Sequence, residues 1–363
     1  MTILRLPNPG SDFERFVALF QAIYREARRR DMDTFDLDFM MDAVAARALV
    51  SSGGAVGAEA VERSRIEDRP LDRMYNQVKM YSELFRMLGW VHAEPDRRLQ
   101  FRPTLFAQTI DSATVPLREE YKCLLREMLL AITFPNPNTE NRGIVNHRPY
   151  LRTLQLLASV GGRLCRDEAI LAVYSISDDR AEGVLDGASS VVTTVRGRTQ
   201  DLTNALETFC SQNGVQVNTA QNYTRMLIGA LTSPIVDWCE SYTNREDYER
   251  PVRGFMRLTE NGQKWARFAV ECADVRWADV APYESRQRSA FVNLAFYAMF
   301  ERCGFPLGAD VVALMARAQV DCQVVLDGLG IADYRRIVFS PVQEAPLGEL
   351  ASASEYAEAG GQS

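Results

Sequence analysis

The stretch GFMRLTENGQKWARF (residues 254–268) holds two apolar patterns separated by Thr-Glu-Asn-Gly. The first, residues 254–258, alternates as a half-buried strand does. Thr259 is a good helix N-cap, and Glu260 suits the first turn, where an acidic side chain meets the positive end of the helix dipole. Trp265, Phe268, Ala269 and Cys272 then recur at helical spacing. The stretch therefore predicts a strand that runs directly into a helix.

The elements around it follow from the same periods. Upstream, IVDWCESY (235–242) predicts a second strand. The charged, turn-rich TNREDYERPVR (243–253) between the two strands predicts a hairpin with a long tip. Further upstream, in NTAQNYTRMLIGAL (218–231), Tyr223, Met226, Leu227, Ala230 and Leu231 form one apolar helix face. Asn218, Gln221, Asn222 and Arg225 share that spacing on a different face. Helix, strand, polar excursion, strand, helix is the second half of a winged helix. RPYLRTLQLLASVGG (148–162) and RLCRDEAILAVYSI (163–176) supply its first half, with a short strand at 163–165 and a helix over 166–176.

The pattern occurs twice more. MYNQVKMYSELFRMLGWV (74–91) predicts a helix with the stripe Met74, Val78, Tyr81, Phe85 and Leu88, entering a strand at 88–91. HAEPDRR (92–98) is its tip, and LQFRPTLFAQTI (99–110) repeats strand then helix. A weaker copy is expected near the end, where 285–305, 308–320 and 322–330 predict three helices and 331–341 a terminal strand. The expected class is mainly α with small β-hairpins (α+β), as three tandem winged-helix-like subdomains. They are expected at 1–148 with an N-terminal arm, 149–282, and 283–345, followed by a disordered small and acidic tail at 346–363. A linker or insertion is expected at SSGGAVGAEA (51–60).

Composition narrows the function classes. The chain of 363 residues is long enough for two or three domains, and 47% hydrophobic residues is enough for each to bury a core. No apolar run approaches the roughly 20 residues of a membrane span, and the N-terminus lacks a signal-peptide pattern. Seven cysteines without a CxxC pair predict reduced thiols in a cytoplasmic protein. A net charge of −7 argues mildly against nucleic acid. Yet only Lys79, Lys122 and Lys264 among the 41 basic residues are lysine. Arginine offers the planar fork that pairs with phosphate or guanine, although GC-rich coding explains the bias equally well.

A helix face carrying Asn, Gln and Arg is chemically suited to base edges, because the amides pair with adenine and arginine with guanine in two-bond fashion. Asn218, Gln221, Asn222 and Arg225 are therefore candidate DNA contacts in the second unit. Arg69, Arg73, Asn76 and Gln77, at the head of the equivalent helix, are candidates in the first. The plain alternative is a solvated helix face, or a winged helix that docks protein.

The order of elements resembles the DNA-recognition region of Fok-type type IIS restriction endonucleases. The resemblance is carried by LPNPGSDFERFVALF (6–20) and by YSELFRMLGWV (81–91) with FRPTLFAQ (101–108). NYTRMLIGAL (222–231) with GFMRLTENGQKWARFA (254–269), and the run from Val275 to Phe305, extend it. It spans about residues 4 to 342. In that family the arm and two helix faces touch bases, which implies a base-contacting role for Asn8, Asn222 and Arg225. A nuclease domain with Asp and Asp-x-Lys ligands for Mg²⁺ follows the third subdomain in that family, and no such segment is found in this sequence.

The three lysines allow a check for that dyad. Lys79 and Lys264 have no carboxylate two residues earlier; Lys122 does, in EEYK (119–122), with Glu120 and the more distant Asp111. PLREEYKCLLREMLL (116–130), however, predicts an amphipathic helix where the dyad needs a strand. Two histidines (His92, His147), no cysteine cluster and no phosphate-binding glycine motif leave zinc and nucleotide chemistry unsupported. No catalytic residue, metal site or cofactor is therefore expected, with Mg²⁺ entering only through a partner nuclease.

The first expectation is a non-catalytic, sequence-specific double-stranded DNA-recognition subunit of a type II (IIS-like) restriction-modification or anti-phage defence system. It would work with a separate nuclease chain, docked by the third unit, and away from membranes. A transcriptional regulator, a winged-helix protein scaffold, and a complete nuclease acting through Asp111, Glu120 and Lys122 remain open alternatives.

Overall fold

The fold is seen in a computed structural model that describes residues 3–8, 10–47, 51–52, 55–64, 71–94, 97–112, 118–136, 138–139, 145–242 and 247–345. Arg69, the hairpin-tip residues 95–96 and 243–246, and the tail 346–363 lie outside the described residues. The chain is α+β, with helices dominating and small sheets of two or three strands between them.

The first part runs α1 (Phe13–Arg29), β1 (Phe35–Asp36), α2 (Leu37–Ala45), β2 (Ser51–Ser52), β3 (Ala55–Val56), α3 (Ala58–Ser64), α4 (Arg73–Met87), β4 (Val91–Glu94), β5 (Arg97–Pro103) and α5 (Leu105–Ser112). After α6 (Glu119–Ala131) comes a second series. It runs α7 (Pro149–Ser159), β6 (Arg163–Leu164), α8 (Arg166–Ala172), α9 (Val184–Val195), α10 (Thr199–Gln212), α11 (Val217–Tyr223), α12 (Arg225–Leu231), β7 (Cys239–Ser241), β8 (Met256–Leu258) and α13 (Glu260–Glu271). The chain continues through β9 (Ala273–Asp274), α14 (Trp277–Val280), α15 (Ser285–Arg302), α16 (Ala309–Asp321), α17 (Gln323–Gly328), β10 (Ile337–Val338) and α18 (Pro341–Glu344).

The two series repeat one plan. A helix is followed by a two-residue strand, a second helix, an insertion, a third helical segment, a hairpin and a closing helix. The sheets have the same order, β1-β5-β4 in the first and β6-β8-β7 in the second, antiparallel throughout. In each, the short first strand pairs with the returning arm of the hairpin. The insertions differ: β2, β3 and α3 in the first series, α9 and α10 in the second.

Local chemistry explains the matching joints. Thr104 and Thr259 occupy the same strand-to-helix corner. Their backbone N–H groups donate to the carbonyls of Trp90 and Trp238 at 3.0 and 3.1 Å. Their hydroxyls donate to Gly89 and Asp237 one residue earlier, at 2.6 and 2.8 Å. The Thr259 hydroxyl also accepts from the Gly262 N–H at 2.9 Å, which satisfies an otherwise orphaned helix donor. Both tryptophans are fully buried. The stripe Met74, Val78, Tyr81, Phe85 and Leu88 is buried as expected, with Tyr81 and Phe85 against Phe16 of α1.

Four expectations need correction. The strand expected at 88–91 is β4 (Val91–Glu94), and the tip expected at 92–98 falls largely within β4 and β5, because the Gly89 and Trp90 N–H groups donate back to Arg86 and Phe85 and close α4 in a turn. The strand expected at 235–242 is only Cys239–Ser241, because the chain turns through Ser233–Asp237 and leaves Asp237 at φ 51°. The helix expected over 166–176 ends at Ala172 and closes in a turn. The helix expected over 218–231 is two segments broken at Thr224, whose buried hydroxyl donates to the Gln221 carbonyl at 2.8 Å. In the third part the three expected helices form α15, α16 and α17, but β10 pairs in parallel with β9 rather than in a hairpin. Val275 and Val280 share a core there with Phe291, Leu294, Val325 and Phe339.

At the centre lies a buried charged cluster. Arg148, fully buried, pairs with Asp274 (2.6 Å) and with Glu344, and donates to the carbonyls of Ala131 and Val275. Asp179 accepts from Arg152 and Arg276, and faces His147 at 3.4 Å. Residues of all three parts of the chain thus meet at one polar junction. No helix among the described residues is long and apolar enough to cross a membrane.

Candidate nucleic-acid interface

The α11–α12 pair is held down by Met226, Leu227, Ala230 and Leu231, all buried, and by the Tyr223 carbonyl, which accepts from the Tyr174 hydroxyl at 3.0 Å. Asn218 and Arg225 are exposed, while Gln221 and Asn222 are half-buried. The break at Thr224 puts Asn218, Gln221 and Asn222 on α11, with Arg225 opening α12. Gln221 Nε2 donates to Asp167 Oδ1 at 2.9 Å, and Arg166 Nε reaches the same oxygen at 3.1 Å. One amide N–H of Gln221 is thereby engaged, which leaves its carbonyl oxygen and second N–H for a base edge.

The N-terminal arm lies against this pair. Ile3, Leu4 and Leu6 are buried, and the Leu4 N–H donates to the Tyr174 carbonyl at 3.1 Å. The guanidinium of exposed Arg5 stands 5.7 Å from the Tyr223 ring centroid, within cation–π range. Further along, Ser11 packs on Gly229 of α12 so closely that a Cβ there would fall on the Ser11 carbonyl oxygen. Asn8, half-buried, lies between these two anchor points, and its Oδ1 has no hydrogen-bond partner among the described residues. The fold therefore brings the arm carrying Asn8 onto the helix pair carrying Asn218, Gln221, Asn222 and Arg225.

The first part is arranged differently. Arg73 is exposed at the start of α4, behind Asp72, whose buried carboxylate caps the helix through the N–H groups of Met74 and Tyr75. Asn76 and Gln77 are half-buried and have partners within the protein; Gln77 bonds the Tyr81 side chain. Of the described candidates here, only Arg73 is presented to solvent.

Two members of the carboxylate–lysine set are paired with other side chains. Asp111 is held by Arg25 at 2.6 Å, while Lys122 lies on helix α6, 4.0 Å from Glu119. Among the described residues no group of three His, Cys, Asp or Glu side chains is placed to hold a metal ion. His92 Nδ1 donates to Asn138 Oδ1 at 3.0 Å, and burial lowers its pKa as it does that of His147.

Two residues of this surface were not singled out by sequence reasoning. Arg5 is the one charge in an otherwise apolar arm, Ile3 to Pro7, and that interruption was its only signal. Asp167 carried none, because its partner Gln221 is 54 residues away.

No family model and no curated protein matches this chain. Among solved structures it is similar to the restriction endonuclease FokI, with 13% sequence identity and a TM-score of 0.38. The likeness covers 90% of this chain, which spans about 60% of that structure's length.

Proposed function

We propose that this chain is a sequence-specific double-stranded DNA-binding subunit of a restriction-modification or anti-phage defence system. The two repeated units act as tandem winged helices at an asymmetric site, and cleavage is supplied by a separate nuclease chain docked through the third unit. The observation that carries this reading is the union of the N-terminal arm with the α11–α12 pair, which gathers amide and guanidinium groups suited to base edges. The sequence resemblance points to the same arm and helix. In this reading Asn8, Asn218, Gln221, Asn222 and Arg225 form the main reading surface, and at the head of α4 exposed Arg73 contributes a second contact, since Asn76 and Gln77 have partners within the protein. The separate nuclease is proposed because Asp111 is committed to Arg25 and Lys122 lies on a helix.

Selection of duplexes from a random pool, with the pure chain and Mg²⁺, tests the proposal. One enriched asymmetric motif, bound and uncut, is expected. An inverted repeat would favour a transcriptional regulator, which matches its two-fold symmetry to its operator. No enrichment at low salt would favour a protein scaffold. Within the selected site, Arg225→Ala should cost about 1–3 kcal/mol and relax one base position. Equal weakening on all sequences would remove Arg225 from base reading.

A further inference from the structure

We infer that the seam between the inserted helices α9–α10 and the tip of the β7–β8 hairpin is a docking site for the phosphate backbone of duplex DNA, carried by Arg198, Arg250 and Arg253. The inference rests on the DNA-binding reading above and adds a site outside its base-reading surface.

An acidic chain that binds duplex must concentrate its available positive charge, because neutralising a phosphate and releasing its counterions takes an uncommitted Lys or Arg. Many arginines here are committed. Arg148, Arg152 and Arg276 belong to the central cluster, Arg196 is held by Glu168, and Arg302 is held by Glu127. Arg198, Arg250 and Arg253 are exposed and make no ion pair or side-chain hydrogen bond among the described residues.

These three belong to one fixed structure. The Arg250 N–H donates to the Thr199 hydroxyl at 3.2 Å, immediately after Arg198. The Gly197 N–H donates to the Asp247 carbonyl at 2.9 Å, and Gly197 forms a parallel bridge with Tyr248. The Tyr248 hydroxyl donates to buried Glu168 at 2.7 Å, which also holds Arg196. The loop between α9 and α10 is thus stitched to the hairpin tip from both sides. Of the nearby carboxylates among the described residues, Asp247 is buried and committed to the Tyr242 hydroxyl and Arg163, while Glu249 and Asp201 are exposed.

The seam also connects to the reading helices. Gly254, next to Arg253, has φ 66°, and a Cβ there would press on Arg166 of α8 and approach Ile228 of α12. Arg166 shares Asp167 with Gln221. The arginines therefore start beside Ile228, midway along α12, and continue along the hairpin to the insertion. A duplex read by α11–α12 would carry its backbone beside this row, and the insertion would extend the footprint beyond the bases touched.

The test is titration of the full-length chain with a mixed-sequence duplex over a range of salt concentrations. The triple change Arg198→Ala, Arg250→Ala, Arg253→Ala is compared with wild type and with Arg28→Ala, Arg47→Ala, Arg267→Ala, which removes equal charge from scattered exposed sites. The salt slope should flatten by about 0.9 for each phosphate no longer neutralised, up to about 2.7 for three. Affinity near physiological salt should drop by about tenfold or more, with the same motif enriched from the random pool. A triple variant matching wild type, or weakened no more than the scattered control, overturns the seam while leaving the DNA reading intact. A wild-type chain that binds no duplex at any salt overturns the reading and the seam with it. Because all three side chains are exposed, an unchanged Tm checks that the variant is folded.

Discussion

Thr259 and Gly262 together account for the break in the opening stretch. The threonine ends the strand and caps the helix, and the glycine lets the Trp238 carbonyl lie against the first turn. A Cβ on Gly262 would fall on that carbonyl oxygen. The two positions should therefore respond differently. Thr259→Ala loses a cap and should cost about 0.5–2 kcal/mol of stability. Gly262→Ala must push apart a corner built on a buried tryptophan, and overpacking of that kind costs about 1–3 kcal/mol, occasionally more. Urea unfolding of both variants measures this, with Gly262→Ala expected to be the worse; the reverse order would mean that the corner relaxes easily. The cap was legible because Thr before Glu is a local signal. The need for glycine was not, since its cause lies 24 residues away in Trp238.

Between elements, the arm and α12 are joined where Ser11 meets Gly229. Gly229→Ala should lift the arm while leaving α12 helical, since alanine is the better helix former. Hydrogen exchange reads this directly. The Leu4 amide, bonded to the Tyr174 carbonyl, should exchange faster, while the amides of α12 keep their protection. Unchanged exchange at Leu4 would show that the buried Ile3, Leu4 and Leu6 hold the arm without the Ser11 contact. Elements with long periodic faces were legible in the sequence: α4 and α13 follow from spacing, and both hairpins were anticipated, although their leading strands start later than expected, at Val91 and Cys239, where the preceding chain closes in turns. The strands β1 and β6 are two residues each, too short to carry a period; β6 was found through its neighbours and β1 was not. Nor were α9 and α10 predicted, although Ala188, Val192 and Val195 on one and Leu202, Leu206 and Cys210 on the other recur at helical spacing and are buried, so their signal was present in the sequence. The break at Thr224 escaped because the apolar spacing continues across it. Of the candidate site, the residues of α11–α12 were legible as a polar face, whereas the arm's position on it depends on contacts distant in sequence.

At the scale of the molecule, the central cluster ties together residues as far apart as Arg148 and Glu344, which no periodicity relates. His147 could be placed at a junction from the sequence, but the charges that meet there could not. Glu344 is fully buried, and burial outweighs the attraction of Arg148, so its pKa rises from 4.5 to about 7. The folded chain then keeps a proton that the unfolded chain gives up, and stability falls as pH rises from about 4.5 to about 7. A shift of that size corresponds to about 3 kcal/mol over the window. Glu344→Gln keeps the shape and hydrogen-bonding capacity of the protonated acid and does not titrate. It should match wild type near pH 5 and exceed it by up to about 3 kcal/mol near pH 8, as read from denaturant unfolding at each pH. Asp179 works in the opposite sense: burial would raise its pKa, but His147, Arg276 and Arg152 together outweigh that and hold it well below the usual carboxylate range, so its contribution is lost only in stronger acid, below the Glu344 window. Subtracting the Glu344→Gln curve from wild type isolates the Glu344 part. A variant less stable than wild type at pH 8 would mean that the ion pair with Arg148 outweighs the burial of its carboxylate, and that the junction is held by that charge rather than in spite of it.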